Sequence, residues 1–283
     1  MTFSPDGEYL LSGGKNRIQL WQVEGGKPLA RMEAQDVSCL AVSQDGRWIA
    51  AGTGPEKGSV LVWDTVTNER VLTEDVGYIV GGIDFSPDST RLVVAACGDY
   101  THYSTKTVVW DIATRKQVQT LDHDDADTAK YSPQGNRIAT ARYHGSRGCV
   151  RIWDSNDGRF KSIQDIENIC ATEVLWQCDG HLLVNTEEKK IMQIDAPTGT
   201  ISAEWPVNSD SLIAIPKHGE FIACSTGHVV TISDVSTRAQ IGLIQHTRAV
   251  HSIALSPDGR FLAISDNGGK IIIASTRLIG LPT

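Results

Sequence analysis

Short apolar segments alternate with polar, glycine-rich segments along the whole chain. In the second copy of this pattern the apolar segments cover residues 39–42, 48–51 and 60–63. They are rich in aliphatic and aromatic side chains, which favour strands, and Gly-rich loops separate them. Apolar residues do not recur at the spacing of a helix face. The pattern predicts short antiparallel β-strands joined by tight turns.

A turn signature of the form Ser-Pro-Asp-Gly recurs seven times. The clear copies begin at Ser4, Ser43, Ser86, Ser132 and Ser256, and the weaker ones cover residues 177–180 and 216–219. In such a turn Pro presets φ, Asp accepts hydrogen bonds from nearby amides, and Gly adopts positive φ. The copies are about 40 to 45 residues apart, the length of one propeller blade. The repeat predicts an all-β fold, a seven-bladed β-propeller of four-stranded antiparallel blades over residues 1–283.

A Trp-Asp pair ends the predicted third strand in three successive copies. These pairs are Trp63-Asp64, Trp110-Asp111 and Trp153-Asp154, and Trp21 stands at the same place in the first copy. Because the pairs recur in register with the turn signature, the chain resembles WD-repeat propellers along essentially its whole length. The resemblance implies that these Trp and Asp side chains are structural.

The later copies depart from the family pattern. Asp195 and Asp234 keep the acidic partner, but neither follows a Trp, and the last copy has Ala274 at the Trp position. The Gly-His pair of the family is reduced to His123 and His246. We therefore expect the family's hydrogen-bond network of Trp, His, Asp and Ser or Thr to be incomplete in most blades.

The two ends of the chain pose a question about ring closure. The first copy begins three residues before its turn serine, so we expect its inner strand and its blade to be incomplete. Residues 278–283 are predicted to form a short outer strand in the last blade. Two alternatives follow: the ring closes by side-chain contact alone, or the chain is a fragment of a longer protein with further domains. The pattern favours the fragment.

Charge and cysteine content restrict the classes of partner. The chain has 26 basic and 34 acidic residues and a formal charge of −8, which argues against a nucleic-acid partner. Its apolar runs are far shorter than a membrane span, and no secretory signal is visible. Six scattered cysteines favour reduced thiols. We expect a cytoplasmic protein, with the nucleus as an alternative.

The longest predicted loops between second and third strands belong to blades two, three and four. The resemblance implies that these loops and the inter-blade loops share the top face of the propeller. Tyr and Arg side chains commonly anchor protein interfaces. The predicted partner-binding residues are Glu56, Lys57, Tyr100, His102, Tyr103, Arg142, Tyr143, His144 and Arg147. The alternative is that these loops are merely solvated and that their tyrosines lean on neighbouring blades.

The resemblance implies a non-enzymatic scaffold that binds a protein or peptide, without cofactor or catalytic residues. A propeller enzyme is the alternative, and it would place carboxylates or histidines around the central channel. The predicted inner strands supply few such groups, chiefly Asp84 and Glu173. The acidic segment 122–127 lacks the ligand spacing of a calcium loop. We therefore predict a solvated acidic turn there and no metal site.

Overall fold

Seven small antiparallel sheets form the whole molecule. The computed structural model describes residues 1–55, 58–77, 79–97, 106–143, 148–155, 158–207 and 212–279. Six of its sheets have four strands and one has three, with sequential strands paired in every sheet. The predicted seven-bladed β-propeller is confirmed.

The blades follow one another in chain order. Blade one contains β1 (Thr2–Phe3), β2 (Tyr9–Gly13), β3 (Arg17–Gln22) and β4 (Pro28–Glu33); blade two contains β5 (Val37–Val42), β6 (Trp48–Thr53), β7 (Gly58–Asp64) and β8 (Glu69–Gly77). Blade three contains β9 (Ile79–Phe85), β10 (Arg91–Cys97), β11 (Thr107–Asp111) and β12 (Lys116–Leu121); blade four contains β13 (Thr128–Tyr131), β14 (Arg137–Arg142), β15 (Cys149–Ser155) and β16 (Phe160–Glu167). Blade five contains β17 (Ala171–Trp176), β18 (His181–Thr186), β19 (Lys190–Asp195) and β20 (Thr200–Pro206); blade six contains β21 (Leu212–Ala214), β22 (Phe221–Thr226), β23 (Val229–Asp234) and β24 (Gln240–Gln245). Blade seven contains β25 (Val250–Leu255), β26 (Phe261–Asp266) and β27 (Ile271–Ser275).

The recurring turn joins the first and second strands of each blade. In blade two, Ser43 Oγ donates to Asp45 Oδ1 at 2.5 Å and accepts the Trp48 N–H at 2.8 Å. The last turn position has positive φ in every copy: Gly7, Gly46, Ser89, Gly135, Gly180, Gly219 and Gly259. The signature therefore acts locally, because its side chains bond the backbone of their own turn.

The Asp of the Trp-Asp position caps the turn between third and fourth strands. Asp64 Oδ1 accepts the N–H of Val66 at 2.8 Å, and Asp111 Oδ1 accepts the N–H of Thr114 at 2.7 Å. At Asp234, the backbone N–H of Thr237 and neighbouring hydroxyls lower the carboxyl pKa to about 2. The cap does not depend on the Trp, since blades five and six have the Asp without a preceding Trp.

The hydrogen-bond network expected from the family is indeed incomplete. In blade four Trp153 Nε1 donates to Thr140 Oγ1 at 3.0 Å, and His123 Nδ1 lies 2.6 Å from the same hydroxyl. In blade one only the Trp21 to Ser12 bond, at 2.8 Å, is present. The buried Trp110 Nε1 has no hydrogen-bond partner within the described residues.

Apolar side chains between successive blades form the core. Each of the seven clusters lies at the interface of two neighbouring blades, so no single centre holds the fold together. The seventh cluster joins the last blade to the first through Phe3, Leu10, Val23, Ala254 and Ala263. Side-chain packing therefore connects the last blade to the first.

The two terminal blades depart from the prediction in two respects. Blade one has all four strands, although its inner strand β1 is only two residues long. In blade seven the predicted outer strand is wrong at its start, because residues Thr276–Ile279 form a 3-10 helix. Ser275 ends β27 at the position where blades two to six have an Asp, and the chain then enters the 3-10 helix. Residues 280–283 lie outside the described part.

Candidate functional site

The top face of the propeller carries the loops between second and third strands and the loops between blades, because the strands of each blade run antiparallel in sequence. Arg142 and Tyr143 are the predicted binding residues that the structure describes, and both lie at the top end of β14. The other predicted residues lie outside the described part: Glu56, Lys57, Tyr100, His102, Tyr103, His144 and Arg147.

Tyr143 bridges two blades. Its N–H donates to Asp127 Oδ2 at 2.6 Å, and its hydroxyl donates to Glu187 Oε1 of blade five at 3.2 Å. The side chain nevertheless remains 36% exposed. Tyr143 therefore leans on a neighbouring blade, as the alternative interpretation expected, while its ring still contributes to the surface.

A concave site lies on the top face beside Arg142. Its volume is about 460 Å³, and we refer to it as the blade-four cleft, lined by Asp122, His123, Asp124, Arg142, Gly148, Cys149, Arg151, Glu167 and Asn168. Charged groups of both signs line it, and several of them are half-buried or exposed.

Arg151 holds one wall of the cleft in place. Its guanidinium forms a bidentate pair with Asp165 and also donates to the carbonyl oxygen of Asp122. The same group stacks over Trp153, 5.6 Å from the ring centroid. Bidentate pairs fix the orientation of both partners, so the Arg151 side chain is preorganised.

The acidic segment 122–127 is not the solvated turn that the sequence predicted. Asp122 and Asp124 are exposed, but His123, Asp125 and Ala126 are buried. Burial, assisted by the positive charges of Arg151 and Arg142, lowers the pKa of His123 to about 4. The hydroxyl of Thr140 draws His123 inward through its Nδ1. Among the described residues no cluster of His, Cys, Asp or Glu has the geometry of a metal site.

The cysteines offer no activated thiol in this region. None of the six forms a disulfide bond, which agrees with the expectation of reduced thiols. Cys149 lines the cleft, and burial raises its pKa above the ordinary value despite the opposing charge of Arg151. A thiol with a raised pKa is a weak nucleophile at neutral pH.

A cavity of about 400 Å³ lies in the central channel and is lined by residues from all seven blades. Near it Lys130 lies with Asp84 and Glu173, the two carboxylates that the enzyme alternative depended on. Burial would lower the pKa of Lys130, but the two carboxylates more than offset this and raise it. Asp84 Oδ2 accepts the backbone N–H of Tyr131 at 2.8 Å, which ties blade three to blade four.

Sequence reasoning missed Lys130. The signal was the alternation in β13, where Ala129 and Tyr131 are buried in the inter-blade core and Lys130 therefore faces the opposite side. That side faces blade five, and Lys130 lines the central channel there with Glu173 of the next inner strand.

Two family models match parts of the chain. The one described as WD domain, G-beta repeat matches residues 1–22, 26–64 and 238–273. The other, described as eukaryotic translation initiation factor eIF2A, matches residues 100–203. The WD-domain match and the seven blades of the structure together confirm the resemblance to WD-repeat propellers.

Curated relatives match the chain at low to moderate identity. An uncharacterized WD repeat-containing protein of Deinococcus radiodurans is 31% identical over 134 residues, which cover 43% of this chain and half of that protein. Eukaryotic translation initiation factor 3 subunit I of Debaryomyces hansenii is 22% identical, with 95% of this chain and 87% of that protein covered. The serine-threonine kinase receptor-associated protein of Dictyostelium discoideum is 26% identical, with 94% and 86% covered.

A solved structure shares the fold. A chain of Kuenenia stuttgartiensis hydrazine synthase superposes with a TM-score of 0.82 over 97% of this chain and 94% of its own, at 17% identity. At that identity the likeness concerns the fold alone. Within the described residues, no helix is long and apolar enough to cross a membrane.

Proposed function

We propose that this WD-repeat propeller is a non-enzymatic scaffold that binds a protein or peptide partner on its top face. The proposed contact surface consists of the blade-four cleft and the long loops of blades two to four. The observation that carries the proposal is the cleft itself, a concavity of about 460 Å³ whose walls present Arg142 and Arg151 beside exposed carboxylates.

The chemistry of the cleft indicates the kind of partner. Asp122 and Asp124 are exposed on one side, and Arg142 lies on the other, so a partner with both charges is complementary. Because Arg151 is already fixed by Asp165, this wall loses little side-chain entropy on binding. The exposed ring of Tyr143 adds apolar area at the rim.

The relatives support a role in assembly. One is named as a subunit of translation initiation factor 3, and another is named as associated with a serine-threonine kinase receptor. Both names describe proteins that act together with other proteins. We propose the same class of role here, in the cytoplasm, with the nucleus as the alternative.

The central channel gives less support to an enzyme. Asp84 bonds a backbone amide, and Lys130 is held in its charged form by two carboxylates. A catalytic lysine at neutral pH needs a lowered pKa, whereas the pKa of Lys130 is raised. These residues are better explained as ties between blades.

Affinity capture with matched variants tests the proposal. We expect Arg142→Ala with Tyr143→Ala, and separately Tyr100→Ala with Arg147→Ala, to lose partners that the unchanged protein retains from a native extract. Retained proteins are identified by mass spectrometry. The free energy of unfolding of the Tyr100 and Arg147 variant is expected to change by less than about 0.5 kcal/mol, since surface substitutions rarely do more.

The control changes one exposed apolar residue and one exposed arginine on the bottom face. Val66→Ala with Arg115→Ala alters an exposed apolar side chain and an exposed arginine in the turns after third strands. This control is expected to retain every partner. Identical retention by all variants, or a loss of stability that parallels the loss of binding, contradicts the assignment of the surface.

A further inference from the structure

The face of blade four that points toward blade three changes character along its length. Its lower part is apolar, and Ile138 and Trp153 belong there to the core cluster shared with blade three. Strand residues two positions apart share a face, so the next residues toward the top are Thr140 and Arg142 of β14 and Arg151 of β15. The blade-four cleft therefore lies at the upper end of an inter-blade interface, where polar side chains replace the apolar core.

His123 joins this polar part to the linker between blades three and four. Its side chain is 2% exposed, and its Nδ1 lies 2.6 Å from the Thr140 hydroxyl oxygen, which also accepts the Trp153 Nε1–H. A separation of 2.6 Å is typical of a hydroxyl donor, since bonds donated by N–H groups are commonly about 2.9 Å long. The other acceptor for this hydroxyl, the Arg151 carbonyl oxygen, is 3.4 Å away. The Thr140 hydroxyl therefore donates to Nδ1, and the neutral ring carries its proton on Nε2.

The Nε2–H of His123 is a buried donor that has no hydrogen-bond partner among the described residues. His123 lines the blade-four cleft, whereas Thr140, which holds the other ring nitrogen, does not. The edge of the ring that contains Nε2 therefore faces the cleft. A buried donor without an acceptor is unfavourable, and nearly all such groups in proteins are paired. A ligand that presents an acceptor in the cleft completes the hydrogen bonding of this ring.

The charges around the ring favour a negatively charged acceptor. Among the charged groups that act on His123, Arg151 and Arg142 are the strongest, ahead of the opposing charge of Asp165. Both arginines line the cleft. A hydrogen bond to an ionised acceptor is stronger than one to a neutral acceptor, and the two guanidinium groups add Coulomb attraction. The position in front of Nε2 is therefore suited to an anion.

The rim of the cleft carries the opposite charge. Asp122, Asp124 and Glu167 are exposed and line the cleft. These carboxylates repel a group with two negative charges, such as a phosphate, more strongly than a group with one. They also attract basic side chains on either side of the bound anion. The arrangement suits a peptide in which one carboxylate is flanked by basic residues.

We propose that the blade-four cleft binds a segment of a partner protein in which a single acidic residue is flanked by Lys or Arg. The carboxylate of that residue accepts the Nε2–H of His123 and lies beside Arg142. The flanking basic side chains contact Asp122, Asp124 and Glu167 at the rim. This inference rests on the proposed function, because it specifies the chemistry of the partner for the same face of the propeller.

Four fluorescent heptapeptides test the class of ligand. Three have the form Ala-Lys-Ala-X-Ala-Lys-Ala, with Glu, Gln or phosphoserine at X, and the fourth has Glu at X and Glu in place of both lysines. Each is titrated with the full chain, and binding is followed by fluorescence anisotropy. We expect saturable binding of the Glu peptide and about tenfold weaker binding of the Gln peptide, which lacks the charge-assisted bond. The phosphoserine peptide is expected to bind no more tightly than the Glu peptide, and the peptide without lysines about tenfold more weakly.

Protein variants locate the bound carboxylate. Arg142→Gln is expected to weaken binding of the Glu peptide about tenfold. The matched control, Arg115→Gln, makes the same change at an exposed arginine outside the cleft and is expected to bind as the unchanged protein does. His123→Phe keeps a ring and removes the Nε2–H, so we expect the difference between the Glu and Gln peptides to fall to about threefold. Thermal unfolding of each variant confirms that it is folded.

NMR of the unchanged protein gives a second measurement that needs no change at His123. A long-range 1H–15N spectrum of the imidazole rings distinguishes a proton on Nε2 from a proton on Nδ1. We expect the His123 ring of the free protein to carry its proton on Nε2. Addition of the Glu peptide is expected to shift the Nε2 resonance to a saturating value, and the same concentration of the Gln peptide to shift it less.

Several results would overturn the proposal. Equal binding of the Glu and Gln peptides, or no saturable binding of any peptide, excludes a carboxylate site. Tighter binding of the phosphoserine peptide makes a phosphopeptide the ligand. Equal weakening by Arg142→Gln and Arg115→Gln shows that the peptide binds outside the cleft. A proton on Nδ1 of His123 in the free protein removes the donor on which the proposal depends.

Failure of this inference is distinguishable from failure of the proposed function. If partner capture from the extract depends on Arg142 and Tyr143 but the Glu and Gln peptides bind alike, the contact surface is correct and the carboxylate site is wrong. If the peptides behave as expected but no captured partner depends on Arg142 and Tyr143, the carboxylate site is correct and the scaffold role of this face is wrong.

Discussion

The substitution Gly82→Ala is expected to destabilise the propeller by about 3 kcal/mol, the upper range for overpacking a well-packed interior. Gly82 lies in the inner strand β9, where blade three meets blade four. A Cβ added there would lie 2.7 Å from both the Ala129 nitrogen and the Thr128 Cα. These are backbone atoms of β13 and cannot rotate away, so the two blades must separate.

Equilibrium unfolding in urea measures this effect. The matched control is Gly14→Ala, because an added Cβ there would approach nothing closer than the Arg17 carbonyl oxygen, at 3.9 Å. Its free energy of unfolding is expected to change by less than about 1 kcal/mol. In an open strand Ala is better tolerated than Gly, so an unchanged or raised stability for Gly82→Ala would show that blades three and four are not in such close contact.

Acidification from pH 6.5 to pH 4 is expected to remove about 3 kcal/mol of stability through His123 alone. Its pKa is lowered to about 4 in the folded protein, by burial and by the charges of Arg151 and Arg142. A lowered pKa means that the folded state favours the neutral ring. The contribution is complete above the unfolded pKa of about 6.5 and is lost as the pH falls toward the folded value.

Urea unfolding at several pH values, with His123→Gln as the comparison, isolates this contribution. The variant lacks the titrating ring, so its stability should fall less steeply between pH 6.5 and 4. Burial raises the pKa values of Asp84 and Glu173, and these groups act in the opposite direction in both proteins. Parallel pH profiles for the two proteins would contradict the buried, neutral state of His123.

Sequence reasoning succeeded where the information was local. The turn signature at Ser43 and the cap at Asp64 bond their own turns, within a few residues along the chain. A strand pattern of period two is likewise read within a short window. Sevenfold repetition of the turn signature left a closed ring of blades as the natural architecture.

Contacts between residues far apart in the chain were harder to predict from the sequence. The segment 122–127 looked solvated because it is acidic, yet His123 is drawn inward by Thr140 on another strand. From the sequence, Asp84 was a candidate catalytic carboxylate, but in the structure it accepts a hydrogen bond from the backbone N–H of Tyr131. Neither partner can be identified from spacing, because the curvature of the ring determines which inner strands face one another.

The sequence by itself determined the fold class, the number of blades and the position of each turn, since these depend on periodicity and on residues that bond their own neighbours. Only the tertiary structure decided which side chains form the blade-four cleft and which carboxylates lie beside the charged Lys130. Those features arise between blades, and the physical reason is that inter-blade contacts join residues some 40 positions apart in the chain.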